Sequence, residues 1–134
     1  MHYLAFVDRV ARRTGTSEER AVELTRATLE TLAERLTGGE VLDLAAQLPK
    51  SLQGMLRPHP RTEAADRFGA AEFVARVAQR VAGDENTARD AVRAVCTTLH
   101  ESITSGEFQD VVVQLPRDFR DMVEPALAPA SRRR

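Results

Sequence analysis

A chain of 134 residues that is 43% hydrophobic and 29% charged holds enough apolar material for one core, and its net charge of −1 is too small for a disordered polyelectrolyte. The single cysteine, Cys96, excludes an internal disulfide, and no Trp, one Tyr and five Phe disfavour stacking platforms for bases or sugars. No charged start with an apolar run behind it and no stretch of about 18 apolar residues is visible, so a soluble, cytoplasmic protein without a membrane segment is expected.

The elements come in two sets, because residues 6–56 recur at 73–123 without a gap, with 21 of 51 positions identical. Such a repeat makes each copy one supersecondary unit. The first helix buries Tyr3, Phe6, Val7, Val10 and Ala11, matched by Phe73, Val74, Val77 and Ala78, a spacing that forms one stripe on a helix and scatters over both faces of a strand. Gly15 and Gly83 are expected to stop these helices. The second and longest helix starts near Thr16 or Ser17, with Thr16 and Glu19 spaced as a capping box, and near Asp84 in the other copy. Its stripe is Ala21, Leu24, Thr28, Leu32 and Leu36, matched by Ala88, Ala91, Val95, Leu99 and Ile103. Gly38–Gly39 and Ser105–Gly106 are expected to end it through a left-handed glycine.

A third helix follows from Glu40 or Glu107, with Val41, Leu44, Ala45 and Leu48, or Phe108, Val111, Val112 and Leu115, turned inward. Pro49 and Pro116 end it and open a short fourth helix, with Leu52, Met55 and Leu56, or Phe119, Met122 and Val123, inward. No segment alternates, so the fold class is all-α: a tandem duplication of a four-short-helix unit packed as one pseudo-twofold helical bundle. The expected boundaries are a single domain 1–124 made of repeats 3–57 and 70–124, a Pro-rich connector 58–69 and a frayed tail 125–134.

Charge is distributed unevenly. Residues 1–57 sum to 0, 58–72 to −1, 73–124 to −3, and Arg132, Arg133 and Arg134 add +3. A neutral to acidic body disfavours a general phosphate-backbone binder. Eighteen of the 19 basic residues are Arg, read as coding bias rather than phosphate recognition.

Four groups of residues carry candidate chemistry. Cys96 and His100 share a helix face at i, i+4, but two ligands do not make a zinc site, and a semi-buried thiol beside an exposed imidazole is the preferred reading. The carboxylates common to both copies are Glu18/Glu85, Glu34/Glu101, Glu40/Glu107 and Asp43/Asp110; Glu40 and Asp43 could form a hydrolytic or di-metal face, yet no Glu-x-x-His accompanies them. Arg9/Arg76, Arg13/Arg80 and Arg26/Arg93 also recur. Arg9, Arg13, Arg76 and Arg80 are candidate interaction residues, with solvation or ion pairing to the neighbouring unit preferred over ligand recognition. The most specific string is Gln47-Leu48-Pro49, repeated as Gln114-Leu115-Pro116. Its glutamine amide either ties off free carbonyls at the helix end, bridges the units, or lines a groove; the structural readings are preferred. No nucleophile elbow, phosphate loop or HExxH is present, and neither cofactor nor metal is expected.

The FVxRVA start, the long Arg/Ala/Leu helix and the short helix ending in AQLP resemble the bacterial domain-of-unknown-function family 2267 over residues 3–123. The resemblance implies a compact helical bundle in a bacterial cytosolic protein, and brings no catalytic residues. The second copy departs from it, with VVVQLP in place of AAQLP. Residues identical in both copies are best explained by folding, and the differences are mostly exchanges among apolar side chains. The expected function is therefore a non-catalytic protein-binding or self-assembly module, its partner another protein or itself as a homodimer. A nucleic-acid-associated regulator, suggested by the Arg tail, and a small-molecule pocket between the repeats are the alternatives.

Overall fold

Ser17 and Asp84 each take up a free N–H at a helix start, accepting from Arg20 N at 3.0 Å and from Thr87 N at 2.8 Å, and so fix where the two longest helices begin. The computed structural model describes residues 1–57 and 67–120. Among them are seven helices and no strand: α1 (Tyr3–Thr14), α2 (Glu18–Arg35), α3 (Gly38–Ala46), α4 (Lys50–Gln53), α5 (Ala70–Val81), α6 (Glu85–Ser102) and α7 (Ser105–Val113). Residues 117–120 open one more helical turn behind Pro116. Helix lengths run 12, 18 and 9 residues in α1 to α3 and again in α5 to α7. The expected tail, most of the connector, Met122 and Val123 lie outside the described residues.

The expected helix ends need correction. Thr16 makes no capping box with Glu19: its hydroxyl bonds Thr14 Oγ1 at 2.9 Å and Ser17 O at 3.2 Å, and Ser17 is the cap. Gly38–Gly39 and Ser105–Gly106 do not end the long helices. Extended Leu36 and Ile103 do so, and Thr37 and Thr104 then start new helices by accepting from Glu40 N and Glu107 N. A turn made by an extended residue needs no left-handed one, so these glycines lie in the first turn of α3 and α7. Gly83 is not the left-handed stop either. That conformation belongs to Ala82 (φ 53°), the partner in the repeat of Gly15 (φ 68°). Only glycine takes up this geometry without a Cβ penalty, and the Ala82 side chain is exposed, so Ala82→Gly is expected to raise stability by about 1 kcal/mol in urea unfolding.

Helix α1 packs on α2 and on α6; α5 packs on α6 and on α2; α2 and α6 lie against each other. Each first helix therefore covers the long helix of the other unit as well as its own. The stripes read from spacing are buried, with Tyr3, Ala45, Ala78, Ile103, Phe108 and Val112 half-buried. A single stripe, however, understates α2 and α6, which are enclosed on most sides: Thr25, Ala27, Leu29 and Thr31 on α2, and Val92, Ala94, Cys96 and Thr98 on α6, are buried too. The hydroxyls of Thr28, Thr31 and Thr98 are tolerated there because each donates to the carbonyl one turn back, at 2.8–2.9 Å.

Candidate interaction surface

Arginines on the first helix of each unit reach carboxylates on the long helix of the other. Glu34 receives Arg76 at 3.1 Å and Arg80 at 2.7 Å, and Glu101 receives Arg9 at 3.0 Å and Arg13 at 2.6 Å. Arg13 also donates to Thr98 Oγ1 at 2.7 Å, and Arg80 to Thr31 Oγ1. At Glu34, partial burial favours the neutral acid but is outweighed by Arg80 and Arg76; at Glu101, Arg13 and then Arg9 act against little burial. Both carboxyls are held below their ordinary value of 4.5. The four candidate interaction arginines are thus engaged inside the molecule, and Arg76 additionally lies 3.8 Å from the Phe68 ring centroid.

The glutamines of the repeated string do the same at the other helix pair. Thr37 N–H donates to Gln114 Oε1 at 2.9 Å while Gln114 Nε2 donates to Thr37 Oγ1 at 3.3 Å. Thr104 N–H donates to Gln47 Oε1 at 2.9 Å while Gln47 Nε2 donates to Thr104 Oγ1 at 3.4 Å. The start of α3 is thereby tied to the end of α7 and the reverse, so the two helices run antiparallel. Of the readings open at the sequence level, the amides bridge the units. Leu48 and Leu115 are buried behind them, Pro49 precedes α4, and Pro116 precedes the turn at 117–120.

Between these two clasps lies a concentration of negative charge. Glu40 is only 8% exposed, and Glu40 Oε2 and Glu107 Oε2 are both buried with no N–H or hydroxyl reaching them. Burial first, then Glu107, Asp110 and Asp43, push Glu40 up to about 8. Neither α3 nor α7 carries a basic residue. On their outer sides Leu42 and Val113 stand 60% and 67% exposed, two of the four large apolar side chains at the surface of the described residues, the others being Met1 and Leu4.

Cys96 is buried, which pushes its thiol up to about 12, and the His100 ring stacks on Phe108 at 4.4 Å. Among the described residues no three of His, Cys, Asp and Glu stand where they could hold a metal. A cleft of about 300 Å³ beside Leu99, Val111, Leu115 and Phe119 belongs to the second unit and takes only Leu32 from the first. The sequence reading missed Thr31, Thr98, Thr37 and Thr104 as partners and the meeting of Glu40 with Glu107. Identity between the copies at all of these positions was the available signal.

The fold and this surface define an all-helical protein whose units are cross-tied by arginine–glutamate and glutamine–threonine contacts, with an acidic seam on one helix pair. The chain belongs to the family described as an uncharacterized conserved protein, DUF2267, which it matches over residues 3–122. No curated protein matches it. No helix among the described residues is long and apolar enough to cross a membrane.

Proposed function

We propose that the chain is a protein-binding or self-assembly module without catalytic activity, and that its contact face is the outer side of α3 and α7. The observation that carries this reading is the exposure of Leu42 and Val113 on those two helices, which hold four carboxylates and no basic residue. Large apolar side chains at a surface gain free energy when a partner covers them. The arginines of α1 and α5 are the weaker face, since Arg9, Arg13, Arg76 and Arg80 are already engaged within the molecule by Glu101 and Glu34.

Sedimentation over a wide concentration range tests the reading. The wild-type chain is expected to associate, with itself or with a co-purified protein, and the Leu42→Asp/Val113→Asp variant to stay monomeric with unchanged helix content. A wild-type chain that stays monomeric and retains no partner rejects the proposal.

A further inference from the structure

We draw no further inference here: the strongest candidate, the apolar cleft beside Cys96, Leu99, Val111 and Phe119 between α6 and α7, carries nothing, because nothing in the structure shows what covers it.

Discussion

Glu40→Gln is expected to stabilise the protein by about 1–3 kcal/mol near pH 9 and to change its stability little near pH 5, the reverse of the usual loss when a buried side chain is replaced. In the wild type, Glu40 holds its proton up to about pH 8 when folded but releases it near its ordinary value of 4.5 when unfolded. The folded state therefore binds the extra proton between these two values, and stability falls as pH rises through that window and levels off above it. A glutamine amide donates to Glu107 at every pH, so the variant lacks this decline. Urea midpoints for both proteins at a series of pH values check it; parallel curves across the window would show that the two carboxyls do not share a proton.

The second large effect has the opposite sign and a different pH range. Replacing Glu34 and Glu101 together by glutamine is expected to cost about 2 kcal/mol at neutral pH, because each carboxylate gathers two guanidiniums that would otherwise repel. The figure is kept modest since all six side chains are between 27% and 45% exposed and solvent screens them. Both acids sit below their ordinary value when folded, so their contribution is present above about pH 4.5 and is lost as pH falls through the folded value. The two single variants should each lose about half, given the near-identical contacts. Thermal unfolding at pH 7 and pH 3, with and without added salt, measures this.

Much of the fold was legible because apolar spacing reports directly on which side of a helix meets the core. Phe6, Val10, Phe73 and Val77 are fixed by that rule alone. Glycine roles were not legible, because the same residue serves a left-handed stop at Gly15 and an ordinary first helical turn at Gly39. The difference lies in the neighbouring threonine caps and extended Leu36, whose angles depend on where the next helix docks. The candidate surface was legible only as a set of residues. A repeat marks Glu40 and Glu107 as equivalent, but that they touch follows from the antiparallel run of α3 against α7, a tertiary fact. Likewise, Arg13 and Arg80 offered surface and ion-pair readings equally until the first helices were found lying on the opposite long helices.

That crossed arrangement means neither half of the molecule is self-sufficient. A fragment ending at Arg57 would leave α2 without α5 and α6, and a fragment starting at Arg67 would leave α6 without α1 and α2. Every arginine–glutamate pair and every glutamine clasp between the units would be severed at once, while the two fragments would keep complementary faces. Split between residues 57 and 67, the chain is expected to act as a two-piece protein whose parts regain structure by finding each other, covalent linkage only raising the concentration at which they meet.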